Sequence, residues 1–185
     1  MPQILIDKLF ELNQQGEILK SIALRDDGGY ALLYGTNGFW YSLIPQSLID
    51  KLWELNKQGE ILKSIALRDD GGYALLFGDN GYWCSGVPQI LIDKLAELNQ
   101  QGEILKSVAL RDDGGYVVLY GTNGYSYSNV SQSLIDKLYE LNQQGEIFTS
   151  IALRDDGGYV LLYGINGFWC SGIPQNLIDK LWNPY

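Results

Sequence analysis

The sequence predicts an α+β repeat protein whose unit is one helix followed by a three-stranded antiparallel meander. Three observations lead there. The string Pro-Gln-x-Leu-Ile-Asp-Lys-Leu begins at Pro2, Pro45 and Pro88, recurs with Ser131 in place of proline and begins again at Pro174, a period of 43 residues. Each period holds one segment with apolar residues at helical spacing, then three segments of strand length separated by Gly, Asp and Asn. A unit of this size cannot bury its own apolar faces, so neighbouring copies must complete the core. The units are 2–44, 45–87, 88–130 and 131–173, with a partial fifth at 174–185, and residues 1–185 form a single repeat domain.

The elements follow in order within the first unit. From Pro2 to Asn13, Leu5, Ile6, Leu9 and Leu12 fall on one stripe, while Asp7, Lys8 and Glu11 fall away from it, the pattern of a surface helix. Proline suits the first helical turn and Gly16 suits a left-handed residue at the end. The apolar run Ile18 to Leu24 reads as the first strand, and Asp26-Asp27-Gly28-Gly29 as the turn after it. Tyr30 to Tyr34 is almost continuously apolar, as expected of a strand buried on both faces. Asn37-Gly38 is a hairpin signal, and Phe39 to Ser42 forms the third strand.

The run Leu19 to Leu24, the turn at Asp27-Gly28, the segment Tyr30 to Gly35, the turn at Asn37-Gly38 and then Phe39-Trp40-Tyr41 resemble the inner three strands of a WD40-type β-propeller blade. The likeness covers roughly 25 of every 43 residues. The Gly-His and Trp-Asp signatures are absent, and a helix stands where the outer strand of such a blade would be. The resemblance implies a propeller-like ring of blades. The alternative is an open α/β superhelix with helical caps, because five helix segments accompany four meanders and a self-contained ring of four leaves one helix over. Identical units also present identical interfaces, so an unclosed end displays the surface that the other end recognises.

Composition narrows the functions. Hydrophobic residues make up 46% of the chain, enough for a packed interior. The net charge of −9 arises from the repeat itself, since each unit carries more acids than bases. An evenly acidic surface repels phosphate backbones and anionic lipid, which excludes nucleic acid and membrane as partners. The start, Met1-Pro2-Gln3, lacks the basic and apolar regions of a signal peptide, and two cysteines make no disulfide framework, so the expected location is cytoplasmic. There is no histidine, no phosphate-binding loop and no spaced cluster of metal ligands. The expectation is therefore no enzyme, no cofactor, no metal and no catalytic residue.

Three groups remain as candidate sites. The paired carboxylates at 26–27, 69–70, 112–113 and 155–156 precede Gly-Gly and read as turns, since a calcium loop alternates its ligands over about a dozen residues. Cys84 and Cys170 stand at equivalent positions two repeats apart, where Tyr41 and Tyr127 stand in the other copies. In a four-unit ring they would face each other across the axis, as a thiol pair or, alternatively, as two small packed residues. The third-strand aromatics and the turn before them vary most between copies. Trp40, Asp79, Trp83, Tyr125 and Trp169 are the candidate ligand-binding residues, with shallow multivalent sugar sites as one reading and packing between units as the other.

The functional expectation is a non-catalytic structural or protein-binding scaffold that self-associates through its repeated interfaces. Its partners would be itself or another protein. A multivalent carbohydrate-binding module, with glycans as partners, is the alternative. An engineered or recently amplified array without a specific ligand also fits, because the first two copies differ at only nine of 43 positions.

Overall fold

A computed structural model describes residues 2–182 of the chain. The first unit contains α1 (Gln3–Gln14), β1 (Leu19–Leu24), β2 (Tyr30–Tyr34) and β3 (Gly38–Ser42). The second contains α2 (Gln46–Gln58), β4 (Leu62–Leu67), β5 (Tyr73–Phe77) and β6 (Gly81–Ser85). The third contains α3 (Gln89–Gln100), β7 (Leu105–Leu110), β8 (Tyr116–Tyr120) and β9 (Gly124–Ser128). The fourth contains α4 (Gln132–Gln143), β10 (Phe148–Leu153), β11 (Tyr159–Tyr163) and β12 (Gly167–Ser171), and α5 (Gln175–Trp182) ends the described chain.

Every meander is a separate antiparallel sheet with its strands in chain order. The helices end as their sequence demands. Gly16 adopts φ 72°, and the N–H of Glu17 donates to the Leu12 carbonyl across the turn, closing the last carbonyls of α1; the other full-length helices repeat this. In the first strand the register shifts between Leu19 and Ser21, leaving Lys20 as an extra residue. The same bulge recurs at Lys63, Lys106 and Thr149. A bulge re-aims the side chain it carries, and the three lysines reach beyond their own sheet.

Helices and sheets alternate. The leucines of α2, Leu48, Leu52 and Leu55, are buried in one cluster with Ala23, Ala31 and Leu33 of the first sheet and with Ile65, Tyr73 and Leu75 of the second. Helix α3 is likewise clamped between the second and third sheets, and α4 between the third and fourth. Each sheet thus has a proximal face toward its own helix and a distal face toward the helix of the next unit. Helix α1 covers the proximal face of the first sheet through Leu5 and Leu12, and Trp182 of α5 meets Phe168 on the distal face of the fourth. Four sheets offer five helix seats, which accounts for the helix that a four-unit ring leaves over.

The residue after each third strand takes a left-handed conformation: φ is 51° at Leu43, 62° at Gly86, 49° at Asn129 and 64° at Gly172. Glycine and asparagine tolerate it, whereas leucine is strained there by about 1–2 kcal/mol. Leu43→Asn is expected to raise stability by about 1 kcal/mol, read as a higher urea midpoint at unchanged slope. Among the described residues no helix is long and apolar enough to cross a membrane.

Candidate functional site

The chemistry of this chain is concentrated where one unit meets the next. At the first junction the Arg25 guanidinium donates from Nη2 to the Asp69 carbonyl at 2.9 Å, and from Nη1 to the Leu43 carbonyl of its own unit at 3.2 Å. The N–H of Asp26 donates to Oδ1 of Asp69 at 2.8 Å. Ser21 Oγ accepts the Ile65 N–H at 3.1 Å on the free edge of β4, so a side chain occupies an edge that would otherwise be open to pairing. The bulged Lys20 donates to the carbonyls of Thr36 and Leu62 at 3.0 and 3.1 Å.

The second and third junctions repeat this set. Arg68 and Arg111 donate to the carbonyls of Asp112 and Asp155, and the N–H groups of Asp69 and Asp112 donate to the carboxylates of those same residues. Ser64 and Ser107 accept the N–H groups of Val108 and Ile151. Lys63 and Lys106 reach the carbonyls of Leu105 and Phe148. A reciprocal pair adds to each junction: Asn37 donates to the Asn56 carbonyl and Asn56 returns the bond to the Asn37 carbonyl, at 3.2 and 3.1 Å, and Asn80 with Asn99 and Asn123 with Asn142 do the same.

The paired carboxylates divide their work accordingly. The second of each pair makes the turn: Asp27, Asp70, Asp113 and Asp156 accept the N–H of the glycine two residues on and pair with the arginine of their own unit. The first, at Asp69, Asp112 and Asp155, reaches across to the preceding unit. Burial, reinforced by the nearby Asp155, Asp69 and Asp70, pushes the Asp112 carboxyl above its ordinary pKa, against the opposing hydrogen bond from the Asp69 N–H. A carboxyl raised in the fold contributes stability that is present below its unfolded pKa and is lost as pH rises through the folded one. Asp112→Asn keeps an oxygen for the Asp69 N–H, so its urea midpoint is expected to exceed that of the parent at pH 7, with the difference shrinking at pH 3.

At the two ends the same groups are present without their counterparts. No bond of this set runs from the fourth unit back to the first among the described residues, although β1 and β10 line one cavity of ≈ 770 Å³ together with β4 and β7. At the head, Ile22 is 42% exposed where its equivalent Ile65 is 3% exposed. At the tail, Arg154 is left with the bonds to Asp156 and Gly172 of its own unit, its side chain 48% exposed against 13% for Arg25 and Arg68. Position 149 carries threonine where the three preceding units have the bridging lysine.

The aromatic candidates lie apart from this. Trp40, Trp83 and Trp169 sit at equivalent positions on three different third strands, each with the ammonium of its own unit's helix over the ring: Lys8 at 4.9 Å, Lys51 at 5.0 Å and Lys137 at 4.2 Å. Tyr125 packs on Tyr127 and edge-on to Phe148. Asp79 offers its backbone carbonyl to Lys63 and to the Leu105 N–H, its carboxylate standing 3.9 Å from the lysine. None of the five lines the shared cavity or a second one of ≈ 430 Å³ beside Gly102, Lys106 and Ile147. The thiols of Cys84 and Cys170 are free, each on a third strand separated from the shared cavity by two others, so the disulfide considered from their spacing is not formed. Burial raises the Cys84 pKa, and its thiol packs against the cluster around α3. Among the described residues no three Cys, Asp or Glu side chains converge as a metal site.

Sequence reasoning missed the serine, the bulged lysine and the asparagine pair. Their signal was present: all three keep their place while the neighbouring turn and third-strand positions change, apart from the lysine at 149. No family model matches the chain and no curated protein matches it. Among solved structures it is similar to a protein of unknown function from Bacteroides caccae, at 12% identity and a TM-score of 0.37, over 87% of this chain and 59% of that one. The chain thus spans less than two thirds of that protein's length, and at this level the likeness says nothing of function.

Proposed function

We propose that the chain is a non-catalytic scaffold that self-associates end to end through the interface it already uses internally. One observation carries this reading: the junction formed three times inside the chain has an unused half at each end. The head offers Ile22, the Asp26 carboxylate and Asn13; the tail offers Ser150, Arg154 and Asn166. Apolar area supplies the attraction and the polar set fixes register. The paired carboxylates, which would be the first groups sought for catalysis, are occupied in turns and junctions except at Asp26. The lysines over the tryptophan rings favour a structural role for those rings, since a stacked sugar would have to displace a bound ammonium. Association closes into a propeller-like ring of several chains or continues as an open array, in the cytoplasm by the reading of the sequence.

Light scattering and native mass spectrometry across a concentration series test the proposal. The expected result is a mass that rises with concentration in whole multiples of the chain. A strict monomer throughout the millimolar range overturns it.

A further inference from the structure

Both ends carry a helix, yet a junction has room for one. Between consecutive sheets a single helix, α2, α3 or α4, fills the space, its leucines on the following sheet and its other side on the preceding one. When two chains join tail to head, α5 of the first and α1 of the second contend for that single seat. We infer that α5 is a removable cap, holding on the distal face of the fourth sheet the place that α1 of a second copy takes. This rests on the self-association proposed above.

The two helices are unequal. Helix α1 has 12 residues, ends in a glycine-closed turn and buries Leu5 and Leu12 on its own sheet. The eight described residues of α5, Gln175–Trp182, include none that is buried. Leu177, its counterpart to the fully buried Leu48, is 44% exposed, no sheet covering it among the described residues. On the fourth sheet α5 makes the edge contact of Trp182 with Phe168 at 4.9 Å, the same relation that Trp53 has to Phe39 at 5.0 Å inside the chain. An incoming α1 satisfies that relation as well, since Phe10 is the counterpart of Trp53 and is exposed. It also brings three things that α5 lacks: a sheet behind its leucines, Asn13 for Asn166, and Asp26 for Arg154 and the Asp155 N–H. Sequence alone hides this, because both segments carry the same Leu-Ile-Asp-Lys-Leu string.

The tail is also weakened at one point. Thr149 replaces the lysine that bridges each internal junction, so the exchange of α5 for α1 proceeds with one clamp missing.

Three variants of the full chain test the inference by sedimentation velocity across a concentration series, with circular dichroism to confirm that each is folded. Ile178→Asp unseats α5, since Ile178 is the counterpart of Ile49, which packs against the apolar cluster between the first and second sheets. It is expected to lower the concentration for half-association at least tenfold. Adding Thr149→Lys restores the clamp and is expected to lower it further. Adding Asp26→Arg instead sets cation against Arg154 and is expected to abolish the gain; the Asp26 carboxylate serves no internal junction, so the fold is spared. Association of the parent chain that Ile178→Asp leaves unchanged or weakens overturns the cap and leaves the scaffold standing. A gain that survives Asp26→Arg reflects unspecific contact through exposed apolar surface and also overturns it. Parent and variants that all remain monomeric overturn both readings.

Discussion

Leu48→Ala lowers the stability of the chain by about 2–5 kcal/mol, whereas Leu177→Ala, the same change at the same place in the repeat, costs about 1 kcal/mol or less. Leu48 is fully buried between the first and second sheets, and removing three carbons there leaves a cavity that two rigid sheets cannot close. Leu177 already faces solvent along part of its surface. Urea denaturation of both variants at low micromolar concentration, where chains are separate, gives the comparison. Equal losses at the two positions would show that α5 is as firmly held as α2, which contradicts the contrast in burial.

Arg68→Ala is the second large effect, about 2–3 kcal/mol. The guanidinium donates to the Asp112 carbonyl at 2.7 Å and to the Gly86 carbonyl at 2.8 Å, and pairs with Asp70 at 2.8 Å, with its side chain 13% exposed. Truncation orphans two carbonyls at once and separates the second unit from the third. Arg154→Ala removes the counterpart from a half-exposed site that keeps only bonds within its own unit, to Gly172 and Asp156, and its expected loss is under about 1 kcal/mol. Thermal melts of the two variants separate a junction bond from an unemployed copy of it. Because identical side chains are compared in different surroundings, propensity and denatured-state effects cancel and the difference reports the junction alone.

Much of the fold was legible because it is encoded locally. The helix limits follow from Pro45 and Gly59, the turns from Asp-Gly and Asn-Gly, and the strands from apolar runs of fixed length. The bulge was not legible. Lys20 reads as a polar residue alternating within a strand, and only its bonds to Thr36 and Leu62 show why the ladder gives way there. The placement of helices between sheets was also hidden, because Leu48 and Ala23 are far apart in sequence and no periodicity records their meeting. At the candidate sites, the acidic pairs were read correctly as turns for Asp27, but the part Asp69 plays in the preceding unit depends on a neighbour that one unit cannot reveal. The tryptophans were recognised as aromatic surface; the lysines above them come from a helix some 30 residues earlier, beyond the reach of local reasoning.

The charged groups of each junction point one way along the chain, whereas the serine bond runs the other way and the asparagine pair runs both ways. Arginine and lysine donors stand on the distal side of a unit, and the carbonyl and carboxylate acceptors stand on the proximal side of the next. A two-fold pair, head to head or tail to tail, would set acceptor against acceptor or cation against cation, so the contact between chains proposed above would be heterologous. The molecule therefore has polarity in the sense that a filament subunit does. A chain whose head is blocked at Asp26 can still receive a neighbour at its tail while being unable to extend at the other end. In the proposed assembly such a chain, mixed in at low ratio, would act as a terminator whose dose sets the mean length.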